Sequence, residues 1–490
     1  MKTWFIITVL VGLTFLLLAL VGRRMALELI RERRVRIDRF KLRRKLGEIE
    51  REVFSSSRVI DAIVDHANEN EVPVDRARAI AEAYLREIVP KFNLLAYYRF
   101  GAPLSRAILH FLYRVVVQRK TVRDFNRRAE RRTVVVYLIN HRSNADYVLV
   151  AHMLFKFISL SYAVGEWARV WPLNHLFKWF GAYFVRRNFR QPLYHAVLSS
   201  YVATITKRGV TQGVFLEGGL TRDGMFRKPK LGMLDYIVSS KRDDDFDSSL
   251  VFIPTAINYD RVLEDRTLTQ ELLGVEDRST RFEKLRQTSG FLFKNFFRSV
   301  FRRFKRYGYA VVSFGDPISV DEFIENHPDI FAETWEERKP ALRKLADTVM
   351  REISGSLPMT PVPVVAFVFR ELGEGPTPEE RILSEIGKFR EATQDRTWHL
   401  RDSDPSRIWD SARRVLELRR LIEETEEGWR WNRADLMIRD FYANSLIPFD
   451  EAMKVRAESE SLRTDAAPNR QTKTIRQKRT SPRPLRDESS

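Results

Sequence analysis

The sequence predicts a membrane-anchored α/β protein, a mixed and largely parallel sheet flanked by N-terminal and C-terminal helical regions and preceded by one transmembrane helix. Three observations carry that expectation. The first is an uncharged run of nineteen residues, Trp4 to Gly22. The second is a series of short β-branched runs between Thr133 and Phe314, several of them separated by stretches of helical periodicity, the alternation that builds a parallel sheet. The third is the spacing of apolar residues on either side of that segment, three and four positions apart, as on one face of a helix.

At 490 residues with 44% apolar and 12% aromatic content, the chain has material for a real core, which excludes both wholesale disorder and a small stapled scaffold. It contains no cysteine. Disulfides, thiolate metal sites and a thioester on one of its own side chains are therefore impossible. The net charge of +19 is concentrated at the ends: +8 from Arg23 to Lys45 and +5 from Ser461 to Ser490. A negatively charged partner is expected, but the mildly basic body gives no reason to expect a specific nucleic-acid fold.

Trp4 to Gly22 spans roughly 28 Å as a helix, close to the hydrocarbon thickness of a bilayer. The arginine-rich flank that follows places the bulk of the protein on the cytoplasmic side. A cleaved signal peptide is the rival reading, and the length of the run and the arginines that follow at once favour the anchor. Residues 1–24 are thus a transmembrane anchor and 25–125 a basic helical lead-in, with helical spacing at Leu42, Leu46, Ile49 and Val53 and again over Asp75 to Ile88 and Pro103 to Val117. Residues 126–352 hold the α/β domain, its strands read at Thr133, Ile158 to Val164, Ala182 to Val185, Gly213 to Leu216, Leu250 to Ile257 and Tyr309 to Phe314, with helices at Asp146 to Phe157 and Leu193 to Lys207. Past Ile353 the β-rich runs stop. The MTPVPVV segment marks a boundary, and 353–455 is read as a helical region with helices over Glu379 to Glu391, Pro405 to Glu424 and Ala434 to Tyr442. Residues 456–490, polar and basic, are expected to be a disordered tail. No internal repeat is visible.

The most suggestive short pattern is His141-Arg142-Ser143-Asn144-Ala145-Asp146, a histidine with an aspartate five positions on. A second copy, His399 to Asp404, lies in the polar stretch WHLRDSDPS and reads as surface. His141 instead leaves the end of a buried strand, where side chains converge on a ligand crevice, and Asp146 opens the next helix. A histidine there can take a proton from a hydroxyl, and the aspartate can reach back to the other ring nitrogen to fix the tautomer. Ser143 stands in no G-x-S-x-G elbow and reads as a helix cap, so the nucleophile belongs to the substrate.

Three later segments join it. Gly181 to Asn188 (GAYFVRRN) sets Arg186 and Arg187 just after a strand, where a guanidinium fork can grip phosphate. Phe215 to Gly224 (FLEGGLTRDG) is a strand running into a glycine-rich loop, followed by Lys228 and Lys230. Val251 to Asp260 (VFIPTAINYD) is an apolar strand interrupted by Pro254. In order and content these four blocks resemble the glycerol-3-phosphate acyltransferase family, with weaker echoes in SYAVGEWARVWPL, in SFGDPIS at Ser313 to Ser319 and in FYANS at Phe441 to Ser445.

The resemblance implies an acyltransferase core with His141 as general base and Asp146 as its partner. It assigns Arg186, Arg187, Glu217, Gly218, Gly219 and Arg222 to a phosphorylated acceptor, and Pro254 to the acyl-donor side. The third block departs from the family's E-G-G-R-S-R: Leu220 replaces the first arginine and Thr221 the serine, leaving Lys228, Lys230 or Arg187 to supply the missing cation. The implied reaction moves a fatty acyl group from acyl-CoA or acyl-carrier protein to the sn-1 hydroxyl of glycerol 3-phosphate at the cytoplasmic face of the membrane, with no cofactor and no metal. The alternatives are 1-acylglycerol 3-phosphate or dihydroxyacetone phosphate as acceptor, or a membrane-tethered scaffold with an inactive core.

Phe291 to Arg306 (FLFKNFFRSVFRRFKR) sets Phe293, Phe297, Phe301 and Phe304 on one helical face, with Lys294, Arg298, Arg302 and Lys305 beside it. Two readings stand, a helix lying in the headgroup zone and a helix burying its phenylalanines against the sheet. On the first, a chain lacking its first forty-five residues still floats with anionic liposomes; complete loss of binding counts against it.

Overall fold

The structure is a computed structural model and describes residues 46–89, 102–118, 133–153, 161–164, 182–186, 189–242, 245–272, 307–398 and 404–465. Its centre is an eight-stranded sheet: β1 (Arg114–Val117), β2 (Thr133–Ile139), β3 (Ser161–Val164), β4 (Ala182–Phe184), β5 (Gln212–Phe215), β6 (Ser249–Tyr259), β7 (Tyr309–Phe314) and β8 (Ile318–Ser319). The strand order is β1-β7-β6-β2-β5-β3-β4, with β8 on β6. β6, β2, β5, β3 and β4 run parallel to one another; β7 and β8 pair antiparallel with β6, and β1 pairs parallel with β7. The mixed, largely parallel sheet expected from the sequence is therefore present.

β2 lies between β5 and β6, with Ile139 opposite both Phe215 and Thr255. A strand covered on both faces reads as a continuous apolar run rather than an alternation, which is why TVVVYLI stood out. Its side chains still divide by face. Val134, Val136 and Leu138 join a cluster with the helices Ser57–Glu69, Val74–Ile88, Pro192–Lys207, Leu231–Val238 and Trp335–Gly355. Tyr137 and Ile139 join the opposite cluster, built with Ala102–Leu112, Ala145–Met153 and the C-terminal helices Pro361–Leu372, Glu379–Ala392, Pro405–Leu418 and Leu436–Asn444. The C-terminal region thus forms one layer of the α/β core.

Three expectations are corrected. The helix read to Val117 ends at Leu112, and the three valines that follow form β1 against β7, where β-branched side chains suit a pleated surface better than a helix. The helix read to Glu424 stops at Leu418. Arg420 turns the chain at φ 57°, and Ile422–Thr425 pairs with Gly428–Trp431 as an antiparallel hairpin that buries Trp429 and Trp431. In the MTPVPVV segment, read as a boundary, Pro361 and Pro363 occupy the first turn of a buried helix, where a missing N–H costs nothing. The helix Trp335–Gly355 also runs unbroken across the boundary read at residue 353.

The anchor at 1–24, the helix at 291–306 and His399 lie outside the described residues, as does the tail beyond 465; its first part, read as disordered from 456, is instead the end of the helix Phe449–Asp465, where Arg456 bonds to Asp223 and to the Phe226 carbonyl. Asp404 is described and caps the helix Pro405–Leu418, accepting the Ser406 N–H at 3.3 Å, an architectural role. No helix among the described residues is long and apolar enough to cross a membrane.

The C-terminal layer grips the loop after β5. Gly224 has φ 85°, and a Cβ there would collide with the Phe441 carbonyl. Gly224→Ala is expected to lower stability by at least ~2 kcal/mol in urea denaturation, whereas Gly355→Ala, at a helix end with open space around it, is expected to stay within ~1 kcal/mol of the parent.

Candidate active site

β2, β5, β6 and β4 are parallel, so the loops that follow them leave the same edge of the sheet. Ligands bind at such an edge in open α/β sheets. β2 is closed off by Asn140, whose side-chain amide exchanges two hydrogen bonds with the backbone of Ile257 (3.0 and 2.7 Å) and so extends the ladder one step. His141 follows at once.

The His141 Nδ1 lies 2.9 Å from Asp146 Oδ2. That same oxygen accepts the backbone N–H groups of Arg142 (2.7 Å) and Ser143 (3.0 Å), and Asp146 Oδ1 accepts the Tyr259 hydroxyl at 2.6 Å. The aspartate is fully buried and His141 is 1% exposed. With Nδ1–H donated to a carboxylate, Nε2 is left as the basic nitrogen. The imidazole stacks on Phe215 (centroids 4.3 Å apart) and meets Tyr147 edge-on, with the Tyr147 hydroxyl 3.4 Å from Nε2. Ser143 acts as the sequence suggested: its Oγ accepts the Ala145 N–H and donates to Glu264, so it is committed to loop structure.

A second buried carboxylate braces the histidine from below. Glu217 Oε1 accepts the His141 N–H at 3.0 Å and Oε2 accepts the Arg227 N–H at 2.8 Å. Glu217, expected at the acceptor, instead faces inward and ties the β2 and β5 loops together. Gly218 takes φ 67°, and the stem of Lys230 crosses it so closely that a Cβ would lie 2.7 Å from Cγ. Gly219 is buried beside it. Arg222, Lys228 and Lys230 reach the surface from the same loop, with Arg222 paired to Glu271 at 2.8 Å.

The structure therefore brings together His141, Asp146, Glu217, Gly218 and Gly219, with Arg222, Lys228 and Lys230 on the rim. Arg186 emerges past β4, but its fork is held by Glu87 (2.9 and 2.6 Å) and packs over Phe189. Arg187 lies outside the described residues. Pro254 sits within β6 opposite Leu138, about 10 Å down the strand from the His141 loop, and its carbonyl accepts the Gly315 N–H.

Sequence reasoning missed Arg142. It is 2% exposed, donates to the Gly224 carbonyl and, at 3.4 Å, to that of Ser445, and stacks on Phe226. Burial lowers its pKa, while Glu217, Asp146 and Asp223 pull it back up. The guanidinium is thus the countercharge of both carboxylates; burial raises Glu217 and Arg142 opposes that rise. Tyr259, the tyrosine of the fourth block, was visible in the sequence, but its bond to Asp146 needs the parallel pairing of β2 and β6. Glu264 carried no signal. Burial, with the charge of Asp146 adding to it, raises it to about 7 against the Ser143 hydrogen bond. Among the described residues no three His, Asp or Glu side chains gather to hold a metal ion.

The fold and this site resemble what two family models describe. The Acyltransferase family model matches residues 118–258, and the model of the glycerol-3-phosphate acyltransferase C-terminal region matches residues 293–449. Curated relatives agree. A glycerol-3-phosphate acyltransferase of Alteromonas mediterranea is 26% identical over 355 residues, 70% of this chain and 41% of that protein. One of Haemophilus influenzae is 24% identical over 414 residues (80% and 48%), and one of Pseudomonas fluorescens 29% over 325 (63% and 36%). The chain is similar to glycerol-3-phosphate acyltransferases, and the matched part spans less than half the length of these relatives. The crystal structure of the 1-acyl-sn-glycerophosphate acyltransferase from Thermotoga maritima aligns with 69% of this chain and 95% of that one at 16% identity, with a TM-score of 0.28, too loose a superposition to support inference.

Asp260, next to Tyr259, is fully buried and accepts the Tyr309 and Val362 N–H groups; burial raises it to about 7 from 3.8. The folded carboxyl keeps its proton to higher pH than the unfolded one, so its contribution is complete below about pH 4 and is lost as the pH rises through about 7. Urea denaturation of Asp260→Asn is expected to show a flatter dependence of stability on pH between 4 and 7 than the parent.

Proposed function

We propose that the chain transfers a fatty acyl group from acyl-CoA or acyl-carrier protein to the sn-1 hydroxyl of glycerol 3-phosphate, at a membrane to which its N-terminal segment anchors it. The observation that carries this reading is the buried His141–Asp146 pair, a general base with its orienter, at the sheet edge shared with the cation-rimmed glycine loop. The comparisons support it through the names of the relatives.

The chemistry follows from the groups present. His141 Nε2 takes the proton of the acceptor hydroxyl as that oxygen attacks the thioester carbonyl. Asp146, hydrogen-bonded to Nδ1, orients the ring and stabilises the imidazolium that forms. Collapse of the tetrahedral adduct expels the thiolate, which recovers the proton from Nε2. The phosphate of the acceptor meets Arg222, Lys228 and Lys230 on the loop after β5. No covalent acyl-enzyme is required, since the acceptor supplies the nucleophile.

Leu220, half-buried against the apolar cluster, favours keeping the other acceptors in view, because it removes a cation from the loop. Replacing His141 with alanine is expected to lower kcat by ~10²–10⁴-fold while leaving the KM for the acceptor largely unchanged. Thin-layer assays with glycerol 3-phosphate, 1-acylglycerol 3-phosphate and dihydroxyacetone phosphate identify the acceptor. Near-normal turnover in the His141→Ala variant overturns the assignment.

A further inference from the structure

The loop after β5 offers cations to the acceptor, yet it also carries an anion. Asp223 follows Arg222 directly, and an uncompensated carboxylate there would repel the phosphate that the loop is to receive. Leu220 has already left the same turn one positive charge short. How the charge of Asp223 is met therefore decides how well the loop can bind.

Asp223 Oδ1 accepts three donors. The Thr221 hydroxyl lies at 2.9 Å, its one proton shared with the Met225 carbonyl at 2.8 Å, and the Met225 N–H lies at 3.1 Å. These two bonds close the turn on either side of Arg222. The third donor is the guanidinium of Arg456 at 2.9 Å, brought from 233 residues further along the chain. The same guanidinium donates through Nε to the Phe226 carbonyl at 2.7 Å and reaches the Met225 carbonyl at 3.4 Å, so one side chain holds the loop at three points. Asn444 adds a fourth tie, donating to the Asp223 carbonyl at 2.9 Å.

The helix Phe449–Asp465 that supplies Arg456 is fixed independently of the loop. Phe449 and Ala452 are buried, the Phe449 N–H donates to Ser354 Oγ at 3.0 Å, and Arg351 pairs with Asp450 at 3.0 Å. Its start is thus tied to the helix Trp335–Gly355, and Arg456 projects two turns further on. The side chains of Arg456 and Asp223 are 24% and 17% exposed, so this ion pair is less screened than a pair in open solvent.

We propose that Arg456 and Asp223 are a positioning pair that sets the affinity for the phosphorylated acceptor, Arg456 neutralising Asp223 and locking the turn that presents Arg222. The inference rests on the acceptor-binding reading above. The pair acts through Arg222 and leaves proton transfer to His141, so its loss falls on the KM for the acceptor rather than on kcat.

The test is a double-mutant cycle of Arg456→Met and Asp223→Asn in the full chain. It uses acyl-CoA and whichever of glycerol 3-phosphate, 1-acylglycerol 3-phosphate and dihydroxyacetone phosphate turns over. Arg456→Met is expected to raise the KM for the acceptor ~10-fold, with kcat and the KM for acyl-CoA within about threefold of the parent. In the Asp223→Asn background no anion is left to neutralise, and the same substitution is expected to raise it no more than about threefold. An acceptor KM that Arg456→Met leaves unchanged overturns the proposal. So does an equal rise in both backgrounds, which makes Arg456 a direct phosphate contact, and so does a fall in kcat without a change in KM, which makes it merely structural. Loss of folded protein lowers the apparent kcat and leaves KM alone, so a partly unfolded variant does not imitate the expected result. A parent that transfers no acyl group to any acceptor removes the proposed function and this inference with it, whereas an active parent whose acceptor KM withstands Arg456→Met removes this inference alone.

Discussion

Asp146 is the group on which the site depends. A buried carboxylate without partners costs several kcal/mol, and this one is satisfied by four donors: the His141 ring, two successive backbone amides and the Tyr259 hydroxyl. Three of the four converge on Oδ2 and one reaches Oδ1, so both oxygens are engaged. The loop from His141 to Ser143 is therefore wrapped around one anion, and the imidazole cannot turn without breaking a set of bonds that water does not replace. The orientation of the ring and the satisfaction of the buried carboxylate come from the same contacts.

Glu217 repeats the device for the second loop, and Arg142 lies between the two as the shared countercharge. Asp223 and Arg456 extend the network outward, with Arg456 bonded to Asp223 and to the Phe226 carbonyl and Asn444 to the Asp223 carbonyl. Arg419, Tyr442 and Asp265 form a further buried triad beside Glu264, joining the C-terminal helices to the segment after β6. The site is held by charge pairs that cross between segments remote in sequence.

The core strands were legible because fully buried parallel strands leave unbroken β-branched runs, and β2, β6 and β7 show them plainly. The pair His141 and Asp146 was legible for a different reason: five positions at a strand-to-helix turn bring ring and carboxylate into reach locally. What escaped depended on tertiary pairing. Val115 to Val117 continue a helical pattern until β7 claims them. The hairpin around Trp429 and Trp431 is too short to outweigh its helical neighbours. Glu217 was placed at the acceptor by the resemblance, and only the packing of β5 against β2 shows that its oxygens accept backbone N–H groups. Arg142 sat inside the motif, but its partners, Gly224 and Ser445, lie far down the chain. Arg186 stands after its strand as expected, and nothing nearby in sequence announced Glu87.

The bond from Arg142 to the Ser445 carbonyl spans 303 residues. On a ribosome adding ~5–20 residues per second, that separation corresponds to about 15–60 s between the emergence of Arg142 and that of Ser445. The segment that bears the motif is thus made well before the one that completes its contacts, and the buried network forms only once both are present.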